Sequence, residues 1–395
     1  MDGSIISRRR ILQAGAVATV AGFVPTRFAI GNTAKVKVGL MLPYSGTYAG
    51  LGEAITNGIK MALAEQGGKL GGREIQFVAL DDESDPAKAP ENATKLATGE
   101  KVDFLLGTVH SGVAMGMVKV TRETGTITII PNAGANVATG PMCAPNIFRT
   151  SFSNWQTTWP LGKVAYDRGH RNIVTMTWKY AAGEEMIGAF EENFQKQGGK
   201  IAKQILVPFP NVEFQANLTE IASLKPDAVM VFFAGAGALK FVKDYAAAGL
   251  KSIPLMGPGF LTDGVLAGQG EAAEGVLTTL HYADGLETAE NVRFRTAYTS
   301  TYNKPADVYA VQGYDAGQVM LKAMAAVKGD TTDRAALIAA IEKAEIKSPR
   351  GPFRFSKAHN PIQDIYLRQV KGGKEMVLGV AEKDVTDPAK GCKAV

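Results

Sequence analysis

Short apolar runs alternate with longer amphipathic stretches from Val36 onward. The first run, Val36 to Leu42, reads as a buried strand. The Gly-rich turn Pro43-Tyr44-Ser45-Gly46 follows, then a helical pattern from Glu53 to Glu65. Strands are expected next at Glu74 to Leu80, Val102 to Leu106 and Thr126 to Ile130, with helical stretches between them. Asp85-Pro86 has the form of an N-cap followed by proline at the first helical position, opening a helix of about a dozen residues. Such alternation implies parallel βαβ units.

A second run of the same kind begins after Phe148. It predicts strands at Asn172 to Thr177, Ile201 to Val207, Ala228 to Phe233, Ile253 to Met256 and Gly275 to Leu280. Helices are expected between them, among them Gly183 to Gln197 and Leu239 to Ala248. Long helices follow at Asn291 to Tyr302 and Val308 to Val327. Pro352 to Phe355 is strand-like, and Lys371-Gly372-Gly373-Lys374 has the chemistry of a hairpin turn. The fold class is therefore α/β, in two halves to which late segments add. No Pro/Ser-rich linker separates the halves, so short crossings are expected between them. Ligands of open parallel sheets sit beyond the carboxyl ends of the strands, and two facing sheets place that site in a cleft between lobes.

The N-terminal segment departs from this pattern. Ser7-Arg8-Arg9-Arg10-Ile11-Leu12-Gln13 precedes a small-residue apolar run from Ala14 to Gly22, ending near Phe23-Val24-Pro25. The run is too short to span a bilayer and reads as an export signal of the twin-arginine type, with a cut after Ala29 or Ala34. The remaining chain then works outside the cytoplasmic membrane and has no long apolar run of its own. Residues 1–34 account for +3 of the formal charge of +5, which leaves +2 without a basic stripe. Neither nucleic acid nor anionic lipid is suggested as a partner. In an oxidising compartment Cys143 and Cys392 are expected to form a disulfide rather than remain free thiols, and neither has neighbours at metal-ligand spacing.

Motifs for catalysis are weak. Asp81-Asp82-Glu83-Ser84-Asp85 could be a metal loop, but capping at a strand end explains it. Gly235-Ala236-Gly237 fails the dinucleotide fingerprint because Lys240 stands where glycine is required. Gly107-Thr108-Val109-His110-Ser111-Gly112 sets histidine beside serine without a nucleophile elbow. Ser111 instead fits an anion site at a post-strand helix start, and Asn132-Ala133-Gly134 holds the same position one βα unit later. Two such loops could grip one carboxylate without a charged side chain. Two ordinary tight turns are the alternative.

At these residues the chain resembles the solute-binding proteins of the branched-chain amino-acid ABC-transporter family. The resemblance covers essentially the whole mature chain. It rests on Gly39-Leu40-Met41-Leu42-Pro43-Tyr44-Ser45-Gly46, Asp81-Asp82 with Asp85-Pro86, Gly107 with Ser111, Phe148-Arg149-Thr150, Met256-Gly257-Pro258 and Tyr314-Asp315. It implies two Rossmann-like lobes with parallel-rich sheets, closing around a ligand and joined by three crossings near Ser151, Tyr282 and Ser356. The expected organisation is 1–34 as export signal, 35–151 with 282–356 as one lobe, 152–281 with 357–385 as the other, and 386–395 as a tail. A non-enzymatic periplasmic protein without a cofactor follows, with ABC permease subunits as partners.

The resemblance places the carboxylate grip on Ser111 and on Asn132, Ala133 and Gly134. It places a second-lobe aromatic on Tyr180, and a first-lobe contact on Leu51. Two departures stand out. The family's Gly-Pro-Glu segment, whose acid pairs with an amino acid's ammonium, reads Gly257-Pro258-Gly259-Phe260 here. A second family tyrosine is replaced by Ala236. A buried charge without its partner costs roughly 3–5 kcal/mol, more than a hundredfold against α-amino acids. Tyr48, Trp155, Tyr180 and Phe260 could line an aromatic-sized space, where burying a phenyl group contributes about 2–3 kcal/mol. The segment Phe148 to Gln156 resembles a branch of the family that takes aromatic carboxylates. A ligand with one carboxylate, an aromatic ring and no ammonium is therefore expected, of the benzoate, hydroxybenzoate or phenylpropenoate type. The alternatives are an amino acid whose ammonium meets Glu184 or Glu185, a short amide or urea, plain core roles for Trp155 and Phe260, and a sensing receptor that does not transport.

Overall fold

The computed structural model describes Met1 and residues 34–393; the expected export signal falls outside the described residues. The chain order is β1 Val36–Leu42, α1 Ala49–Ala64, β2 Lys69–Leu70, β3 Arg73–Asp81, α2 Ala89–Thr94, β4 Phe104–Gly107, α3 Ser111–Thr124, β5 Ile127–Ile130, α4 Asn136–Thr139 and β6 Ile147–Arg149. Next come α5 Asn154–Asp167, β7 Asn172–Lys179, α6 Ala181–Lys196, β8 Lys200–Pro208, α7 Gln215–Leu224, β9 Ala228–Phe232, α8 Gly235–Ala247, β10 Leu255–Pro258, α9 Leu266–Gln269 and β11 Leu277–Leu280. The chain ends with α10 Ala289–Tyr302, α11 Val308–Ala326, α12 Arg334–Glu342, β12 Arg354–Phe355, β13 Pro361–Lys371 and β14 Lys374–Val385.

The strands form two sheets. The first has the order β2-β3-β1-β4-β5-β6, parallel except for the short β2. The second runs β12-β13-β11-β10-β9-β7-β8, with β14 on the free side of β13. Its β8, β7, β9, β10 and β11 are parallel, and β12, β13 and β14 are antiparallel additions. Helices cover both faces of the parallel strands. This is why β4, β5, β9 and β11 are buried along their whole length, β4 and β9 as apolar runs and β5 and β11 with their threonines buried too.

The path between the sheets follows from packing. After β11 the chain returns to the first sheet, where α11 lies along α1. A Cβ at Gly58 would fall 2.0 Å from the Ala310 carbonyl oxygen, and one at Gly313 would fall 2.0 Å from that of Ile55. The two helices touch backbone to backbone, and only glycine permits it. Helix α10 is tied to α1 by the Arg293–Glu65 ion pair and by the Tyr302 hydroxyl donating to Asn57. The chain then crosses again to β12, β13 and β14. The β13–β14 hairpin turns on Gly372 and Gly373, with φ of +59° and +72°, as a two-residue turn of this kind requires. Cys143 and Cys392 are joined in a disulfide, pinning the C-terminal residues to the segment between α4 and β6.

Two local expectations are corrected. The helix expected to open at Asp85-Pro86 begins at Ala89, with Pro90 in its first turn. The Asp85 carboxylate caps only the Ala87 N–H, and residues 82–88 are used up in successive turns. The strand expected at Ile253 to Met256 lies two residues later. The Ile253 N–H closes a turn onto Leu250, and Pro254 has no N–H to give. The acidic loop is spent internally: Asp81 accepts from the N–H groups of Tyr44 and Glu83, and Asp82 accepts from Ser84 N–H and the Thr108 hydroxyl. Among the described residues no helix is long and apolar enough to cross a membrane.

Candidate ligand-binding site

Parallel strands deliver every following helix start to the same side of the sheet, and here the two sheets turn those sides toward each other. A small, tightly closed cavity lies there. From the first sheet's side Tyr48, Leu51, Val109, Ser111, Asn132, Gly134 and Tyr309 line it. Phe152 and Asn154 border it just past the first crossing. From the second sheet come Tyr180, Ala182, Met186, Phe232, Ala234 and Phe260. Many of these sit at helix starts: Ser111 opens α3, Asn154 opens α5, Tyr180 and Ala182 begin α6, Ala234 precedes α8 and Tyr309 lies in the first turn of α11. The positive ends of several helix dipoles therefore converge on one small space, which suits an anion.

No lining residue carries a formal charge. The polar groups are hydroxyls and amides. Asn154 Nδ2 donates to Ser111 Oγ at 3.2 Å and to Glu185 Oε2 at 2.7 Å. Asn132 Nδ2 donates to Gln312 Oε1 at 2.6 Å, which fixes its amide. The Tyr48 and Tyr180 hydroxyls share a 2.8 Å hydrogen bond across the cleft. Two buried side-chain atoms of the lining have no partner among the described residues, the Tyr309 hydroxyl and Asn154 Oδ1. The walls are aromatic: Phe152 lies 4.8 Å from Phe260 between ring centres, and Phe260 lies 6.1 Å from Tyr309. A larger neighbouring groove is acidic, lined by Glu53, Asp263, Asp284, Asp307 and Glu375 with Lys304 paired to Glu53.

The structure brings Tyr48, Leu51, Ser111, Asn132, Gly134, Tyr180 and Phe260 together around the cavity and leaves four expected residues out of it. Trp155 turns away and stacks on Trp159, one helical turn on, with ring centres 4.8 Å apart. Ala236 lies on the acidic groove. The cavity residue is Ala234, because β9 ends at Phe232 and α8 is already under way at Ala236. Ala133 is buried behind its loop, its N–H donating to the Thr108 carbonyl. Gly259 is backed by an arginine: a Cβ there would lie 2.5 Å from Arg368 Nη2. The place the family's acid would take is thus filled by a guanidinium, itself paired with Asp263 and Glu375. Glu185 reaches the region but is occupied, accepting from Asn136 N–H at 2.9 Å and from Asn154; burial pushes its carboxyl up, against those hydrogen bonds.

Sequence reasoning missed Val109, Phe152, Asn154, Ala182, Met186, Phe232, Ala234 and Tyr309. A signal existed for two of them. Ser153 and Gln156 form a capping box, which marks Asn154 as a first helical residue, and Asp307 caps α11, which puts Tyr309 in its first turn.

His110 is no partner for Ser111 in catalysis. Its Nδ1 accepts from Gly112 N–H as the cap of α3, and its ring stacks on Tyr180 at 4.4 Å. Burial lowers it to about 4, so it is neutral near pH 7. Its folded value lies below its unfolded value, so the unfolded chain takes up the proton first and His110 costs stability as pH falls from about 6.5 toward 4. His110→Asn keeps a capping acceptor without this titration. Between pH 7 and pH 4.5 the wild type should lose about 2–3 kcal/mol more than the variant in urea unfolding. Equal losses would contradict the assignment.

Comparison with known proteins gives a consistent picture. A family described as periplasmic binding protein matches residues 35–375. A solute-binding protein of an ABC transporter from R. palustris, solved in complex with benzoate, is 57% identical, covers 91% of this chain and 100% of its own, and superposes with a TM-score of 0.89. One from Rhodopseudomonas palustris BisB5, in complex with 3,4-dihydroxy benzoic acid, is 31% identical over 90% of this chain and 99% of its own, with a TM-score of 0.85. A Leu/Ile/Val-binding protein homolog from Brucella melitensis is 33% identical over 85% of this chain and 87% of its own length.

Proposed function

The chain belongs to the periplasmic binding protein family, and on that premise we propose that it captures a benzoate-type aromatic carboxylate for an ABC importer. The observation that carries the reading is the cavity's lining: aromatic walls, neutral donors at converging helix starts, and no carboxylate to meet an ammonium. The relatives solved with benzoate and 3,4-dihydroxy benzoic acid support it. In this reading Ser111, Asn132 and the Gly134 N–H hold the carboxylate. Tyr48, Phe152, Tyr180 and Phe260 enclose the ring. The lobes, 35–151 with 282–356 and 152–281 with 357–385, close over the ligand, since only the closed state lets it touch both. Permease subunits then recognise the closed outer face. The twin-arginine segment directs the chain to the periplasm.

The test is thermal unfolding of protein stripped of ligand by unfolding and refolding. A ligand at a hundred times its Kd stabilises the fold by about 2.7 kcal/mol. Benzoate or 4-hydroxybenzoate should raise Tm by several degrees, and leucine, phenylalanine and urea should not. A shift with leucine and none with the ring acids would overturn the reading.

A further inference from the structure

Arg149 is fully buried at the end of β6, yet it forms no ion pair with any described residue. Its guanidinium donates only to neutral acceptors: the carbonyls of Ala133 (3.4 Å), Phe152 (3.1 Å) and Ala135 (2.7 Å), and the Thr139 hydroxyl (2.7 Å). A buried guanidinium that no carboxylate contacts directly is costly, so its retention needs a reason. The charged groups that face it are Asp387 and Glu185. Glu185 is itself held by Asn136 and Asn154.

The carbonyls Arg149 grips belong to the two segments that build the cavity wall. A trans peptide sets its N–H opposite its C=O. With the Ala133 carbonyl turned to Arg149, the Gly134 N–H of the same peptide points the other way, at a residue that lines the cavity. That N–H makes no hydrogen bond to a described residue, whereas Asn136 N–H, two residues on, is taken by Glu185. The Gly134 carbonyl is fixed in turn by Asn154 N–H at 2.7 Å. A cation therefore lies directly behind an oriented, unpaired donor, in a site whose own lining carries no charge.

We propose that Arg149 is the counter-charge of the bound carboxylate, acting as a positioning residue through the Ala133–Gly134 peptide. The guanidinium polarises and aims that peptide, and its field reaches the ligand without contact. Burial lowers Arg149 to about 10, so it stays protonated wherever the protein works. The inference rests on the carboxylate reading above, and wild-type binding of benzoate separates the two: if the wild type ignores benzoate, that reading fails first.

The experiment compares benzoate with its neutral isostere benzamide by calorimetry, for the wild type, Arg149→Met and Arg149→Lys. Loss of the charge should weaken benzoate on the order of 10-fold or more while benzamide changes by less than about 3-fold. Lysine should recover much of the benzoate affinity. A purely structural role predicts equal losses for the two ligands, and that result would overturn the inference. Should Arg149→Met not fold, Glu185→Gln at pH 8 carries the test. Removing the opposing charge should tighten benzoate a few-fold relative to benzamide; an unchanged ratio would overturn the inference.

Discussion

Arg368→Met is expected to lower the unfolding free energy by about 3–5 kcal/mol, the usual cost of leaving buried carboxylates without their cation. Arg368 is completely buried on β13, with Asp263 at 2.8 Å and Glu375 at 2.9 Å. Its guanidinium also donates to the Tyr282 carbonyl and the Thr278 hydroxyl, so it joins β11, β13 and β14 to the turn after β10. Burial pushes both carboxyls upward, and Arg368 is the main group opposing that shift. Urea unfolding near pH 7 measures the loss. The triple change Arg368→Met with Asp263→Asn and Glu375→Gln should recover part of it, because neutral side chains no longer need the cation. A loss below about 1 kcal/mol for the single variant would mean that the cluster relaxes or takes up protons.

Gly134→Val should weaken ligand binding roughly 100-fold, at the upper end of the 1–3 kcal/mol that overpacking costs. Its backbone is not strained; the obstacle is space. A Cβ would lie 2.1 Å from Asn154 Oδ1 and 2.6 Å from the Phe152 ring. Asn154 cannot give way without releasing Ser111 and Glu185. The clash thus sits where the carboxylate grip is assembled. Gly188→Ala is the control, since nothing lies within 4 Å of a Cβ there. Calorimetry on folded variants reads the effect, and Gly134→Val with wild-type affinity would remove Gly134 from the site.

The fold was readable because its periodicity is strong. Central parallel strands such as β1, β4 and β9 are short, mostly apolar runs, and the boundaries of β1, β8 and α11 fall within a residue or so of those read from the pattern. Boundaries slipped where turn chemistry competed with the pattern, as at Asp85-Pro86 and Pro254. The site was legible where a residue lies within a few positions of a strand's carboxyl end, as Ser111, Asn132 and Tyr180 do. It was not legible where helix phase decides the facing. Trp155 and Asn154 are neighbours, yet one lines the cavity and the other stacks outward on Trp159. Nor could spacing reveal that Arg368, more than a hundred residues away along the chain, fills the space beside Gly259. Long-range packing set that outcome, and only the tertiary structure contains it.

The most direct test of the central claim is calorimetric titration of the refolded, ligand-free protein with benzoate, 4-hydroxybenzoate, leucine and phenylalanine. A cavity without an acid predicts tight binding of at least one ring carboxylate and silence from both amino acids. Tight binding of leucine or phenylalanine, with silence from the ring acids, would contradict it.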